Sequence, residues 1–229
     1  MTDAASPAPS TTRAICSPDI PSVWPYTEVV EERRGLLVVI SGPSGAGKDA
    51  VIDALARDGL RFTKVVTATT RPRRENEVPG KDYHFLTTEE FYRWRDAGLL
   101  LEWALVYGTP YGTPVAGVQE ALRAGETVLL KIDVQGAAQI KTKAPNAVFI
   151  YLGPGSFDEL KQRLARRRTE SDDAYTRRID QAREELLQVP HYEYLVINRQ
   201  GELDCAVEQV RSIILAERLR IHPRPIDLS

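Results

Sequence analysis

The chain has 229 residues, 42% of them hydrophobic and 27% charged, with a formal net charge of −2 at pH 7. This length suits one α/β domain with insertions, and the near-neutral charge excludes a chain that attracts nucleic acid over its whole surface. Cys16 and Cys205 lack metal-ligand spacing, and no apolar run approaches the ~20 residues of a membrane span. We expect a soluble protein of a reducing compartment, the cytoplasm, with no nucleic-acid or membrane partner.

Residues 1–34 differ from the rest of the chain, because they are rich in Ser, Thr, Pro and Ala without helical or strand periodicity. This composition predicts a disordered N-terminal tail. An organellar transit peptide is the alternative, but such leaders are rich in arginine and poor in acidic residues. Arg13 is the only basic residue before Glu28, whereas Asp3 and Asp19 are acidic, so a simple tail is favoured.

The stretch LLVVISGPSGAGKDAV predicts a phosphate-binding loop. Its first five residues are apolar and partly β-branched, as in a buried parallel strand. The spacing Gly-x-x-x-x-Gly-Lys is that of the Walker A loop, whose backbone amides and lysine surround nucleotide phosphates. A glycine-rich turn that only joins a strand to a helix is the alternative, and three glycines with a lysine argue against it. The predicted nucleotide-binding residues are Gly42, Pro43, Ser44, Gly45, Ala46, Gly47, Lys48 and Asp49.

Strands and helices alternate along the rest of the chain, which predicts an open parallel sheet covered by helices on both faces. The first half contains a predicted helix at 49–57, strands at 62–67, 82–86 and 99–107, a helix opened by the capping box Thr87-x-x-Glu90, a turn at 108–114 and a helix at 115–124. The second half contains predicted strands at 128–134, 147–152 and 194–197, and helices at 135–143, 172–187 and 203–219 and from Ser156 onward.

A group of arginines and a carboxylate indicate a second ligand. Arg71, Arg73 and Arg74 lie in a polar connection, where guanidinium groups bind a phosphate dianion well, although a solvated charged loop is the alternative. Glu102 lies inside the apolar run LLLEWALVY, where a buried carboxylate needs a partner. A guanine offers one, since its N1–H and N2–H₂ edge matches two carboxylate oxygens. The Tyr111 and Thr113 hydroxyls could reach the same phosphate as the arginines.

A second basic group follows, made of Arg163, Arg166, Arg167, Arg168, Arg177 and Arg178. A basic helix end that interacts with the helix dipole is the alternative. Phosphoryl transfer needs mobile cations on the transferring group, so arginines between two helices indicate a lid that closes over phosphates.

The motifs GPSGAGK, TTR-x-x-R followed by GKDY, E-W-A followed by YGT, and ID-x-QG together resemble the guanylate kinase family over residues 35–219. The resemblance implies a P-loop NTPase-type α/β fold with an inserted GMP-binding subdomain (67–113), a helical lid (163–183) and a C-terminal tail (220–229). It implies transfer of phosphate from ATP to GMP with Mg²⁺, in purine nucleotide metabolism. The implied GMP contacts are Thr67, Arg71, Arg74, Tyr83, Glu102, Tyr111, Thr113 and Asp133. It also implies that Asn198 lies beside adenine and that the residues acting on the transferring phosphates are Lys48, Arg163, Arg167 and Arg178.

Three positions depart from the family pattern. Asp49 replaces the Ser or Thr that ends the phosphate loop, Lys131 stands where a strand aspartate is common, and Asn76 replaces a loop glycine. The loop hydroxyl and the strand carboxylate meet at the metal. Moving the carboxylate from the strand to the loop, with a lysine opposite it, keeps the local charge nearly unchanged. We therefore predict that Asp49 pairs with Lys131 and lies near or on Mg²⁺, in a variant that resembles plastid and some bacterial members.

Two other functions stay open from the sequence. A non-catalytic module of similar fold that binds protein partners would tend to lose the loop glycines and lysine, which this chain keeps. A P-loop kinase for another small acceptor would not need Glu102 together with Arg71, Arg74 and Tyr83. We expect a monomer that acts on GMP and ATP, and the sequence leaves the use of dGMP open.

Overall fold

The computed structural model describes residues 35–106, 108–166 and 172–228, without the side chains of 166 and 172–174. Its central sheet contains β1 (Leu36–Ser41), β2 (Thr63–Lys64), β7 (Thr127–Lys131), β8 (Val148–Pro154) and β9 (Tyr194–Asn198). The strand order is β2-β7-β1-β8-β9, and every neighbouring pair is parallel. The predicted open parallel sheet is therefore confirmed.

Helices cover both faces of this sheet. The helices are α1 (Lys48–Arg57), α2 (Thr88–Asp96), α3 (Val115–Arg123), α4 (Val134–Lys143), α5 (Phe157–Arg166), α6 (Asp172–Leu186) and α7 (Leu203–Arg218), of which α2 packs against the second sheet described below. Ile40 of β1 shares a buried cluster with residues of α1 and α7, whereas Val39 shares another with residues of α3 and α4. Because successive strand residues point to opposite faces, the apolar run of β1 is buried on both sides.

A second sheet lies in the first half of the chain, between the phosphate loop and α3. Its strands are β3 (Thr67–Thr69), β4 (Tyr83–Phe85), β5 (Leu100–Val106) and β6 (Thr109–Pro114), in the order β4-β3-β6-β5. β3 and β4 are parallel, and the other pairs are antiparallel. The fully buried Phe91 of α2 packs with Ala68 and Leu100, so this sheet has a small hydrophobic core of its own.

Two predictions in this region were wrong. Residues 109–114 form strand β6, paired on both sides, and not the predicted turn. Pro110 and Pro114 lower the strand preference of this segment because proline cannot donate to a ladder, and the pairing with β3 and β5 overrides that preference. The single strand predicted at 62–67 is two strands, β2 and β3, which belong to different sheets.

The end of β7 and the C-terminal segment also differ from the predictions. β7 stops at Lys131, three residues early, because Asp133 caps α4 by accepting from the Gly136 N–H at 2.8 Å. After α7, Leu228 packs against the α3–α4 side, and its carbonyl accepts from Gln119 Nε2 at 2.9 Å. The segment predicted as a C-terminal tail thus lies against the domain. The predicted N-terminal tail (1–34) and Arg167 lie outside the described residues.

No helix within the described part of the chain is long and apolar enough to cross a membrane.

Candidate active site

The phosphate loop connects the end of β1 to the start of α1, and its glycines are required by its backbone. Gly42 has φ 139° and Gly47 has φ 94°, both in the region that side chains avoid. A Cβ at Gly42 would overlap the Leu152 carbonyl of β8, and one at Gly47 would overlap the side-chain amide of Asn198. The loop is therefore pressed against β8 and β9, with its conformation fixed by contacts distant in sequence.

Two predicted nucleotide-binding residues support this loop from behind. Asn198, at the end of β9, donates through Nδ2 to the Ala46 carbonyl at 2.8 Å. Arg163 of α5 donates to the Ala46 carbonyl at 3.2 Å and to the Asn198 carbonyl at 2.8 Å, and also pairs with Glu159. The contacts of Asn198 with adenine and of Arg163 with the transferring phosphate stay predictions.

Lys48 and Arg178 bring positive charge to the same loop. Lys48 donates through Nζ to the carbonyls of Gly42 at 2.5 Å and Pro43 at 3.2 Å. Its burial lowers the pKa of the ammonium group to about 8, because a desolvated charge is costly. Arg178 of α6 is buried, with Nη2 3.4 Å from Ser44 Oγ. The structure thus brings together two of the predicted catalytic cations.

The predicted pairing of Asp49 with Lys131 is confirmed. Lys131 ends β7, Asp49 lies in the first turn of α1, and Nζ and Oδ1 are 2.5 Å apart. Their side chains are 40% and 71% exposed, so the pair contributes little to folding stability. Among the described residues no three His, Cys, Asp or Glu side chains form a metal-binding group. The assignment of Asp49 to the metal stays a prediction.

Arg71 is held by a carboxylate that the sequence reading missed. Its guanidinium binds both oxygens of Glu77, with Nη1 2.7 Å from Oε2, and Nε donates to the Tyr111 hydroxyl at 3.2 Å. The group also lies 5.0 Å from the ring centroid of Tyr83. The Arg71 hydrogen bonds lower the pKa of the Glu77 carboxyl to about 2, so the pair stays ionised at neutral pH.

Glu77 also organises the other two arginines of this loop. The Arg74 N–H donates to Glu77 Oε2 at 2.8 Å, and Arg73 Nη1 donates to the Glu77 carbonyl at 2.9 Å. An acidic residue among arginines was the available signal, but the exposed Glu75 carries the same signal, so sequence alone does not single out Glu77. Thr67 lies opposite Tyr83 across β3 and β4, and the Tyr83 ring is the one that Arg71 contacts.

Glu102 is buried between the second sheet and α4. It is 4% exposed, and Thr113, its partner across β5 and β6, donates to Oε1 at 2.5 Å. A Cβ at Gly136 of α4 would overlap Oε2, so the glycine leaves room for the carboxylate. Burial raises the pKa of Glu102 to about 7, and the charge of Asp133 adds to the rise. The Thr113 hydroxyl is therefore directed at Glu102, and its predicted contact with the GMP phosphate stays a prediction.

Asp133 lies next to Glu102 and has an unused acceptor. Its Oδ1 caps α4, whereas Oδ2 is buried and has no hydrogen-bond partner among the described residues. Burial raises the pKa of this carboxyl as well. A buried carboxylate beside a second one with an unpartnered acceptor favours a ligand that carries several N–H donors.

The second sheet is attached to α4 by side chains that the sequence reading also missed. Gln139 accepts from the Trp103 N–H at 3.1 Å and donates to its carbonyl at 2.5 Å. Lys143 donates to the carbonyls of Leu100 and Leu101 at 3.2 and 2.5 Å. These contacts fix Glu102 of β5 relative to Asp133, the cap of α4. Polar residues on a helix surface gave no signal of this role.

Comparisons with known proteins agree with this geometry. The guanylate kinase family model matches residues 34–217. The guanylate kinase of Desulfitobacterium hafniense is 43% identical over 196 residues, which cover 86% of this chain and 97% of the relative. Guanylate kinase 2, chloroplastic/mitochondrial, of Oryza sativa subsp. japonica is 43% identical over 196 residues, covering 84% and 68%. The crystal structure of guanylate kinase from Anaplasma phagocytophilum matches with a TM-score of 0.67 at 29% identity, covering 82% and 89%.

Proposed function

The chain belongs to the guanylate kinase family and phosphorylates GMP to GDP with ATP, and we propose that the two clusters described above divide this reaction. The phosphate loop with Lys48 and Arg178 binds the donor ATP. The second sheet with Arg71 and Glu102 binds the acceptor GMP. The observation that carries the assignment is the buried carboxylate of Glu102 next to Asp133, whose buried Oδ2 has no hydrogen-bond partner among the described residues.

The carboxylate pair supports guanine as the base that is recognised. Buried acceptors without donors are costly, so the site selects a base whose edge presents adjacent N–H groups. Guanine presents N1–H and N2–H₂, whereas adenine presents an acceptor at N1 and would leave a carboxylate unpaired. Thr113 orients Glu102 for this contact through its hydrogen bond to Oε1.

The arginine loop supports binding of the GMP phosphate. The forked guanidinium of Arg71 matches a phosphate dianion, and Glu77 with Tyr111 already holds it in one orientation. Arg74, Tyr83 and Thr67 complete the site in our assignment. Recognition of base and phosphate at two ends of the nucleotide places the phosphate oxygen that attacks ATP.

On the donor side, the loop amides and Lys48 bind the ATP phosphates, and Lys48 exchanges its carbonyl partners for phosphate oxygens. Arg163, Arg167 and Arg178 stabilise the charge that develops on the transferring group during in-line transfer, without a covalent enzyme intermediate. Asp49 has the hard oxygen ligands that Mg²⁺ prefers and lies next to Lys48, so we assign it to the metal site, directly or through water. Mg²⁺ bound there would neutralise charge on the β- and γ-phosphates.

We assign closure over the substrates to residues 67–113 and 163–183. The first range forms most of a sheet with its own hydrophobic core, which supports movement as a unit. Closure would exclude water, which is a competing phosphate acceptor.

The test is a coupled assay for ADP release with ATP and a panel of acceptors: GMP, dGMP, AMP, UMP and CMP. We expect turnover with GMP to exceed that with AMP, UMP and CMP by orders of magnitude. Preference for another monophosphate would contradict the assignment of Glu102. Binding of GMP without turnover would favour the alternative of a non-catalytic module.

A further inference from the structure

Strand β5 contains a bulge immediately before Glu102. Leu100 pairs with Pro114 of β6 and Glu102 pairs with Thr113, so two steps along β5 lie opposite one step along β6. The extra residue is Leu101. Such an insertion shifts the alternation of side chains along a strand, and it often redirects a side chain beside a site.

The bulge accounts for the direction of the Glu102 side chain. Leu100 and Trp103 both pack in the hydrophobic core of the second sheet, although they are three positions apart. In a regular strand these two residues would point to opposite faces, and Glu102 would share the face of Leu100. Instead, Leu101 packs in the buried cluster on the side of α4, and the Glu102 carboxylate lies beside Gly136 of α4. The bulge therefore turns the carboxylate toward α4.

Gln139 of α4 takes the place of a neighbouring strand beside β5. In the order β4-β3-β6-β5, β5 is the last strand, so one side of its backbone has no strand partner in the part of the chain that the structure describes. The Gln139 amide accepts from the Trp103 N–H at 3.1 Å and donates to the Trp103 carbonyl at 2.5 Å. One side chain thus satisfies both backbone groups of the residue that follows Glu102.

Lys143 binds the bulge itself. Its Nζ donates to the carbonyls of Leu100 and Leu101 at 3.2 and 2.5 Å. Because Lys143 lies four positions after Gln139, both side chains extend from one face of α4. The same helix begins at its cap, Asp133. One helix therefore fixes the backbone on both sides of Glu102 and also carries the second carboxylate.

We propose that Gln139 is a positioning residue for guanine recognition, which holds the bulged part of β5 so that Glu102 is directed at the base. Lys143 supports the same backbone one helical turn later. Without the Gln139 amide, the two backbone groups of Trp103 lose their partner, and β5 shifts relative to α4. A displaced carboxylate binds the base edge less well, whereas the ATP site is unaffected. The inference rests on the proposed role of Glu102 in recognising guanine.

The test is Gln139→Leu, which removes both hydrogen bonds at similar side-chain volume. The measured quantities are kcat/KM for GMP, kcat/KM for IMP, which lacks only the 2-amino group, and KM for ATP. We expect the ratio of GMP to IMP to fall about fivefold, as for the net contribution of one hydrogen bond, with KM for ATP within about twofold of the wild type. The matched control is Gln209→Leu, an exposed glutamine of α7, which should leave the ratio unchanged.

A double variant distinguishes positioning from general damage to the fold. If Gln139 acts through Glu102, then adding Gln139→Leu to Glu102→Gln should lower the ratio no further. A further fivefold fall in the double variant would overturn the inference, and so would an unchanged ratio in Gln139→Leu alone. The proposed function fails separately, if Glu102→Gln by itself leaves the ratio unchanged.

Lys143 provides a second variant in case Gln139→Leu does not fold. Its side chain is exposed, so Lys143→Met should fold, and it removes the donor to the two carbonyls of the bulge. We expect the ratio of GMP to IMP to fall at least about twofold in this variant, and to return in Lys143→Arg, which keeps the donor and the charge. The wild-type ratio in Lys143→Met would overturn the inference.

Discussion

The two phosphate-binding regions differ in the sequence separation of the contacts that hold them in place. Ala46 of the phosphate loop is bonded by Asn198, 152 residues away, and Ser44 is contacted by Arg178, 134 residues away. In the arginine loop, Arg71 is held by Glu77, only six residues away. The phosphate loop therefore depends on the whole fold for its conformation, whereas the arginine loop contains the residue that stabilises it, Glu77.

This difference predicts how the regions respond to change. Substitutions that disturb the support of the phosphate loop should affect ATP binding and stability together, because the supporting residues also belong to the core. Substitutions in the arginine loop should affect GMP alone, since Glu77 contacts residues of the same loop. The following experiments test this difference between the phosphate loop and the arginine loop.

The largest effect is expected from Lys48→Met, which removes the buried cation of the phosphate loop. We expect kcat to fall about 10³-fold, as for loss of a group that stabilises transition-state charge. The matched control is Lys64→Met, which removes an exposed lysine paired with Asp53 and should leave kcat unchanged. Pre-steady-state measurement of GDP formation distinguishes a slow chemical step from slow product release, and a kcat near the wild-type value would contradict the assignment of Lys48.

Glu77→Gln should act on the acceptor side only. The substitution weakens the forked contact with Arg71 and the bond from the Arg74 N–H, so the loop is less well ordered for a phosphate dianion. We expect KM for GMP to rise about tenfold with KM for ATP unchanged. The control is Glu75→Gln in the same loop. A lower KM for GMP would show that Glu77 competes with the phosphate for Arg71. The claim that Glu77 orders Arg71 for phosphate binding would then be wrong.

The exchange of charge between Asp49 and Lys131 can be measured by a double-mutant cycle. Asp49→Ser and Lys131→Asp should each lower kcat/KM for ATP, and the double variant should recover most of it. We expect a coupling energy of about 1 kcal/mol in kcat/KM and less in unfolding, because the pair is largely exposed. Full activity of Asp49→Ser beside an unchanged Lys131 would show that the two sites are independent.

Binding of GMP should depend on pH through Glu102. Its pKa is about 7, raised by burial and by Asp133 and lowered by Thr113 and Lys143, so the carboxylate becomes mostly ionised above that value. Guanine needs the ionised form, so KM for GMP should fall about tenfold as pH rises from 6 to 8. The GMP phosphate titrates in the same pH range. The Glu102→Gln variant is the control for this effect, because in it only the GMP phosphate and Asp133 titrate. Identical pH profiles in the two proteins would contradict this role.

Features that depend on local sequence could be predicted. The glycine spacing with its lysine located the phosphate loop, and the apolar run around Glu102 located a buried carboxylate. The pairing of Asp49 with Lys131 also followed from sequence, since each residue was anomalous and the two anomalies compensated each other. In the first two cases the chemical requirement is visible within a few neighbouring residues, whereas Asp49 and Lys131 lie 82 positions apart.

Features that depend on tertiary contacts could not be predicted. β6 contains two prolines, and only its pairing with β3 and β5 makes it a strand. Gln139 is an ordinary polar helix residue in sequence, and it gains its role from its contact with Trp103 across the fold. Glu77 was missed for a different reason, because local charge did not distinguish it from Glu75.

The central claim is that buried Glu102 selects guanine at the acceptor site. The most direct test is the ratio of kcat/KM for GMP to that for IMP, which lacks only the 2-amino group, in the wild type and in Glu102→Gln. We predict that the ratio falls at least about tenfold in the variant, with KM for ATP unchanged and with no effect of the exposed control Glu120→Gln. An unchanged ratio would contradict the claim.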